Sequence, residues 1–131
     1  MFSLGFSRMK KRHTTGSLPD NFKQMSSERV VIVAYKPFPG KEADLNQLMK
    51  THVAILRNEG LASDRASTLL KAKDNTIVEV FGWKSKEAIE AAHGNPAVQK
   101  MWERFAEVCE FIPLKNMAEA NDMFAEFDPF E

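Results

Sequence analysis

The stretch TIVEVFGWKSKEAIEAAHGNPAVQKMW, from Thr76 to Trp102, decides the fold of this chain. Its first part is rich in β-branched and aromatic residues, which predicts a strand over residues 76–83. Ser85 is then a good N-cap for a helix that ends near His93. A second helix follows directly, because Asn95 can cap it and Pro96 fits its first position. The stretch therefore reads as a strand followed by two short helices.

Upstream of this stretch lies a strand, a helix and a further strand. Residues 29–36 are nearly all apolar and β-branched, as in a strand that is covered on both faces. Residues 41–59 carry apolar side chains at spacings of three and four, which predicts a helix that Gly60 can close. Residues 64–73 predict a strand that pairs with residues 76–83 through a tight turn at Asp74 and Asn75. This turn would place Glu79 opposite Leu70.

Downstream, residues 111–117 predict the last strand, with Pro113 at an edge or bulge position. Residues 118–130 predict one short helical stretch. The complete order is that of an α+β domain over residues 29–131, with a ferredoxin-like split βαβ plan and a four-stranded antiparallel sheet. Helices on one face of such a sheet leave the other face bare, so we expect a homodimer. Residues 1–28 are basic and lack apolar periodicity, which predicts a flexible N-terminal arm.

Composition excludes several classes of function. The formal net charge is zero, so the chain offers no field that would attract nucleic acid or an acidic membrane. No apolar run approaches the roughly 20 residues that span a bilayer. Cys109 is the only cysteine, which excludes an internal disulfide and fits the cytoplasm. The histidines are scattered and none lies at a zinc-like spacing from Cys109, so we expect no metal site.

A short motif carries a family resemblance: it runs Trp83-x-Ser85-x-Glu87-Ala88, then His93, then Pro96. It is similar to the motif of the antibiotic biosynthesis monooxygenase-like family. The resemblance covers residues 29–130 and implies a dimeric α+β barrel, in which two sheets pack into a shared barrel. It implies a cofactor-independent monooxygenase, without cofactor or metal, for a small aromatic or quinol-type substrate. The alternative is a non-catalytic dimeric α+β barrel protein that binds a small ligand or is stress-related.

His52 and Glu79 are the candidate catalytic residues. His52 lies on the apolar stripe of the first helix, where an imidazole could act as a base towards a cavity between helix and sheet. The alternative is a core histidine bonded to a backbone carbonyl. Glu79 is the one acid within an apolar strand and would need a cation or a raised pKa if buried. A structural ion pair, even one across a dimer interface, is the alternative for Glu79.

Four further residues are candidates for substrate binding, and each has a structural alternative. Trp83 and Trp102 could stack against a ring or simply fill the core. His93 matches the motif and could line a cavity or loop, or merely terminate its helix at the surface. Arg65 could bind an anionic group or lie solvated at a rim. Cys109 lies on an apolar stripe and is expected to be an inert thiol.

The haem-degrading branch of the family is excluded by its missing residues. That branch uses an Asn on the first strand, but residues 29–36 contain none. Its Trp and His positions align with Ala92 and Trp102 here. The antibiotic-modifying branch places Asn, Trp and Arg or Tyr in its cavity, for which this chain offers Trp83, Arg65 and Tyr35.

Overall fold

A computed structural model describes residues 27–131, and its elements follow the predicted order with one addition near the C-terminal end. Most of the predicted arm, residues 1–26, lies outside the described residues. Short 3-10 turns follow the fourth strand at Leu114–Asn116 and Ala118–Asn121. The strands and α-helices are β1 (Arg29–Pro37), α1 (Glu42–Asn58), β2 (Thr68–Lys71), β3 (Ile77–Trp83), α2 (Lys86–Ala92), α3 (Pro96–Val108), β4 (Cys109–Ile112) and β5 (Asp128–Pro129).

The strands form one antiparallel sheet in the order β4-β1-β3-β2-β5. Its first four members are the predicted strands in the predicted split βαβ arrangement, which confirms the α+β, ferredoxin-like class. The sheet has five strands instead of the predicted four, because β5 adds to the edge of β2. The predicted helix caps are confirmed as well. The Ser85 hydroxyl accepts from the amide of Ala88, and Asn95 accepts from those of Ala97 and Val98.

The C-terminal part differs from the prediction, and prolines explain the difference. The last predicted strand begins earlier and ends at Ile112, because Pro113 has no amide hydrogen to continue the ladder. The predicted helix over residues 118–130 was wrong beyond its first turn. Asp128 precedes Pro129, and a residue in that position is pushed towards extended backbone. Asp128 and Pro129 accordingly pair with Lys71 and Leu70 as β5.

The hairpin between β2 and β3 has a register that differs by one residue from the prediction. Glu79 lies opposite Leu69 and not Leu70. The loop contains three residues, because Asn75 adopts a positive φ of 72° and Ala72 pairs with Thr76 through a 2.8 Å hydrogen bond. A two-residue turn at Asp74 and Asn75 was therefore the wrong loop type. The strand β2 is also shorter than the predicted 64–73.

The two faces of the sheet have different surroundings. The inner face carries Tyr35, Glu79 and Phe81 and is covered by α1 and α3. The outer face carries the even-numbered residues of β1. At one end of this outer face, Met117 and Phe127 from the C-terminal segment pack against Ala34 and Val78. Elsewhere it is open, with Val30 49% and Ile32 52% exposed.

Asn75 provides a direct test of the hairpin geometry. Valine at this position should destabilise the fold by about 1–2 kcal/mol, because a β-branched side chain clashes with the backbone in the left-handed region. Glycine should be tolerated without loss, because it adopts positive φ freely. Thermal unfolding measures both, and equal melting temperatures for Asn75→Val and Asn75→Gly would contradict the observed loop.

Candidate functional site

Three polar side chains meet inside the otherwise apolar layer between α1 and the sheet. The Tyr35 hydroxyl donates a hydrogen bond of 2.7 Å to Oε1 of Glu79. Nδ1 of His52 lies 2.9 Å from the same oxygen. All three residues are buried, with exposures of 1%, 1% and 4% for Tyr35, Glu79 and His52. We call these three residues the buried triad.

Each member of the buried triad is positioned by the regular structure of its element. His52 belongs to the buried stripe of α1, between Met49 and Leu56. Tyr35 and Glu79 lie on the same face of adjacent strands, because Val33 is paired with Glu79 and side chains alternate along β1. Helix packing onto this face then brings the imidazole to the carboxylate. The structure thus brings the two predicted catalytic residues into contact.

The polar groups of the buried triad are only partly satisfied. Glu79 Oε1 accepts a hydrogen bond from the Tyr35 hydroxyl and lies close to His52 Nδ1. Glu79 Oε2 is buried without a hydrogen-bond partner among the described residues. His52 Nδ1 is at ion-pair distance but lacks the alignment of a hydrogen bond. A buried carboxylate of this kind costs several kcal/mol unless a cation or donors compensate it. The arrangement therefore keeps a reactive acid and imidazole together at an energetic cost.

The hydroxyl of Tyr35 is held in its protonated form. Burial, reinforced by the neighbouring Glu79 carboxylate, raises the pKa of Tyr35 far above its ordinary value. The hydroxyl thus acts as a hydrogen-bond donor to Glu79 over the whole physiological range. The sequence offered Tyr35 only as a possible cavity residue. Its position in an almost entirely apolar strand could have indicated that its hydroxyl is buried.

Aromatic rings enclose His52 on several sides. The rings of Tyr35, Phe81 and Phe105 approach it edge to face, with centroid distances of 6.1, 5.5 and 5.2 Å. Trp83 packs on Phe81 at 5.4 Å, so it reaches His52 through one intervening ring. Among the predicted substrate-binding residues, Trp83 is thus the one that the structure places beside the buried triad.

The other predicted binding residues lie in two different places. His93 ends α2 at the surface, where its Nδ1 lies 3.0 Å from the carbonyl oxygen of Ile89 and its ring meets that of Trp102 at 5.3 Å. Arg65 forms two hydrogen bonds with the carboxylate of Glu28. These bonds, with a further one from Ser63, lower the pKa of Glu28 to about 2. The Arg65 guanidinium is therefore already paired with a carboxylate.

The surface formed by residues 27–131 includes two open depressions. One, of about 650 Å³, surrounds Arg65 and Glu28. The other, of about 480 Å³, lies along the seam between α1 and β2 and includes Lys50 and Leu69. His52 lines neither of them. Within residues 27–131 there is no cluster of potential ligands for a metal ion, and no helix there is long and apolar enough to cross a membrane.

The chain is similar to solved structures of the expected architecture. One is SnoaB, a cofactor-independent oxygenase from Streptomyces nogalater, with a TM-score of 0.56 and 16% identity over 66% of this chain and 88% of SnoaB. Another is Rv0793 from Mycobacterium tuberculosis, with a TM-score of 0.52 and 19% identity over 70% of this chain and 99% of Rv0793. The chain shares their fold. No protein-family model and no curated protein matches it.

The similarity confirms the architecture expected from the Trp83-x-Ser85 motif. At identities below a fifth it speaks for the backbone arrangement and not for the residues of a site. The chemistry of this chain must therefore be argued from its own side chains, and the buried triad is where those side chains depart most from an ordinary core.

The raised pKa of Tyr35 leads to a prediction for alkaline pH. In the unfolded chain a tyrosine ionises near 10.0, whereas in the folded protein Tyr35 retains its proton. Above that pH the native state holds more protons than the unfolded state, so this contribution to stability is lost as pH rises beyond about 10. Tyr35 is the only tyrosine, so tyrosinate absorbance reports on this residue alone.

We expect tyrosinate absorbance to appear together with the loss of circular dichroism in an alkaline titration. Cys109, whose pKa burial raises to about 11, adds a loss of stability of the same sign from about pH 9 upwards. The variant Tyr35→Phe should lack the absorbance change and lose stability less steeply above pH 10. Ionisation at the ordinary pKa in a chain with native circular dichroism would contradict the buried position of Tyr35.

Proposed function

We propose that this protein is a cofactor-independent monooxygenase that acts on a small aromatic or quinol-type substrate. The observation that carries the proposal is the buried triad, which joins an imidazole, a carboxylate and a phenol within an apolar layer. The fold it shares with SnoaB, described as a cofactor-independent oxygenase, supports it as an analogy. Such chemistry needs a base, a dry site and a held substrate, and no bound cofactor.

His52 is the proposed base. Nδ1 of His52 lies 2.9 Å from Oε1 of Glu79 without the alignment of a hydrogen bond. A rotation of the imidazole that aligned the two atoms would favour the proton on Nδ1 and leave Nε2 to accept a proton. Glu79 would stabilise the imidazolium that forms, and Tyr35 would hold the carboxylate in place. Trp83 would position the substrate ring.

The reaction balances without a further reductant. His52 removes a proton from an activated CH₂ group, and the resulting carbanion gives an electron to O₂. The two radicals combine to a peroxide, which loses water to leave a carbonyl. One oxygen atom thus enters the substrate, and the other leaves as water with the two hydrogens. The substrate itself supplies the electrons, so we propose that no metal and no organic cofactor takes part.

A second candidate is a non-catalytic barrel that binds a small ligand. The rings of Tyr35, Phe81 and Phe105 enclose His52 tightly. This favours the non-catalytic barrel, because a packed interior leaves no room for a substrate beside the imidazole. So does the absence of His52 from the lining of the two depressions. Oxygen consumption distinguishes the two candidates directly.

We also propose that the protein is a cytoplasmic homodimer. The open part of the outer face, around Val30 and Ile32, presents apolar side chains that a second copy could cover. The dimeric barrel implied by the family resemblance buries this face of the sheet. A reducing compartment fits the single thiol of Cys109, which is buried and donates to the carbonyl oxygen of Phe105.

The catalytic proposal predicts oxygen consumption with an anthrone as substrate, because its central CH₂ group can be oxidised to a carbonyl by the reaction described above. The intact protein should consume one O₂ per substrate oxidised, above the rate without protein. His52→Gln should lower kcat by about 100-fold or more, because general base catalysis contributes about 10²–10⁴-fold. Glu79→Gln should lower it as well, since the imidazolium would lose its counter-charge. An oxygen electrode and absorbance spectroscopy measure both quantities.

The control for this prediction is Thr51→Gln, which places the same side chain at the neighbouring, exposed position of α1. It should retain full activity. Circular dichroism must show that His52→Gln is folded. A folded His52→Gln protein with unchanged turnover would contradict the role of base, and no turnover in the intact protein with any such substrate would favour the binding barrel.

The dimer proposal predicts a mass of twice 14.9 kDa in light scattering at micromolar concentration. Ile32→Glu should give a monomer, because a charge at the centre of the covered face loses its hydration. Ala54→Glu, on the exposed side of α1, should leave the dimer intact. A monomeric unmodified chain, or identical masses for Ile32→Glu and Ala54→Glu, would refute the interface.

A further inference from the structure

The depression along the seam between α1 and β2 combines apolar and basic groups. It measures about 480 Å³, which is within the range of small-molecule sites. One wall belongs to α1, another to β2 and the rest to the last residues of the chain. Its lining consists of Lys50, Ser67, Leu69, Pro129, Phe130 and Glu131.

The seam depression adjoins the buried triad through a single side chain. Leu69 lines the depression and is also the cross-strand partner of Glu79. Directly opposite residues in an antiparallel pair have Cβ atoms about 4.5–5.5 Å apart. Glu79 Oε2, the oxygen without a hydrogen-bond partner among residues 27–131, belongs to the side chain directly across the strand pair from Leu69. A ligand in the depression would therefore lie one residue away from the buried carboxylate.

The charges around the seam depression fit an anionic ligand. Nζ of Lys50 lies 3.9 Å from the Glu131 carboxylate, and these side chains are 48% and 69% exposed. Nζ of Lys71 lies above the ring of Phe130 at 5.5 Å. Each lysine is thus paired with a group of the C-terminal segment, a carboxylate in one case and an aromatic ring in the other. An anionic ligand could replace the Glu131 carboxylate at Lys50 and leave the ring of Phe130 in place.

The edge strand of the C-terminal segment is held by few backbone hydrogen bonds. Its strand β5 has two residues, paired with Leu70 and Lys71 of β2. One further backbone hydrogen bond, of 3.2 Å, joins the amide of Phe130 to the carbonyl oxygen of Leu69. An exposed ion pair such as Lys50–Glu131 contributes at most about 1 kcal/mol. The two-residue pairing of β5 can therefore be lost without breaking another strand pair, whereas Phe127 and Phe130 also pack against the two hydrophobic clusters.

We propose that the seam depression is the binding site and access route for an aromatic compound with an anionic group. The ring packs between Leu69 and Phe130, and the anionic group replaces Glu131 at Lys50. This inference deepens the proposed function by naming the substrate class and its route to the buried triad. In the free protein, Glu131 occupies the position of the anionic group and competes with it.

Two variants test the site because their expected effects are opposite in sign. Naphthoate is the probe, and the neutral naphthalenemethanol is its control. Lys50→Met should weaken naphthoate binding by about 2- to 5-fold, because it removes an exposed ion-pair partner. Glu131→Gln should strengthen it by a similar factor, because it removes the competitor. Lys100→Met, an exposed lysine of α3, makes the same change of net charge and should alter nothing.

Titration calorimetry gives the affinities, and fluorine NMR gives the location. Tyr35 is the only tyrosine, so protein made with fluorotyrosine carries a single label within the buried triad. Naphthoate should shift this resonance to saturation at the calorimetric Kd. The effects of Lys50→Met and Glu131→Gln should be absent for naphthalenemethanol.

The outcomes separate the inference from the proposed function. Effects of the same sign for Lys50→Met and Glu131→Gln, or a fluorine resonance that naphthoate leaves unmoved, would overturn the site. For an anthrone that carries a carboxylate, oxygen consumption that depends on His52 but not on Lys50 would refute the site and leave the monooxygenase proposal intact. Binding with the expected signs but without oxygen consumption would support the site and refute the enzyme.

Discussion

The carboxylate of Glu79 imposes the strictest constraint on this structure. A carboxylate that is 1% exposed must be compensated from nearby, and both of its neighbours come from distant parts of the chain. The Tyr35 hydroxyl compensates it from β1 and the His52 imidazole from α1. Any slip in the β1–β3 register, or any rotation of α1, would separate these groups. The buried triad thus ties together the strand pair and the helix that form the inner layer.

The constraint that Glu79 imposes acts on the inner face of the sheet and not on the outer face. On the inner face, aromatic rings close around His52, and the side chains of His52 and Glu79 are buried. The outer face carries small or aliphatic residues, and the C-terminal segment covers one end of it with Met117 and Phe127. The sheet therefore separates a specific, polar-centred interior from a generic apolar surface. A surface of the second kind suits association, because it requires only complementary shape and no buried polar partner.

The sequence predicted what depends on local chemistry. Caps at Ser85 and Asn95 and the order of the main elements all depend on patterns within a few residues. It also singled out His52 and Glu79, because a polar residue in an apolar pattern stands out without knowledge of its partner. Their contact needed the tertiary structure, since it joins two elements across the core.

The failures have equally specific causes. The register of Glu79 was off by one because the left-handed backbone of Asn75 lengthens the hairpin loop, and Asn tolerates both loop types. Arg65 was predicted either to bind an anionic group or to lie solvated at a rim, and its pairing with Glu28 was not foreseen because Glu28 precedes the first strand and is distant in sequence. The C-terminal segment was assigned to a helix from its apolar residues. In the structure this segment instead pairs with the edge of β2, and a local sequence pattern does not show which strand edge a segment will pair with.

His52, the proposed base, is enclosed, so its action would require part of the structure to open. The strand pairings show which part is held by the fewest backbone hydrogen bonds. β1 pairs with β3 over all residues from Arg29 to Tyr35, so separating these two strands would disrupt the core. The pairing of β5 with β2 involves two residues. Opening at this edge breaks the fewest backbone pairs of any strand pair in the sheet, and Phe130 would lose its packing against the core. The strand β2 lies between this edge and β3, and its Leu69 accepts a hydrogen bond from the amide of Phe130 and lies directly opposite Glu79.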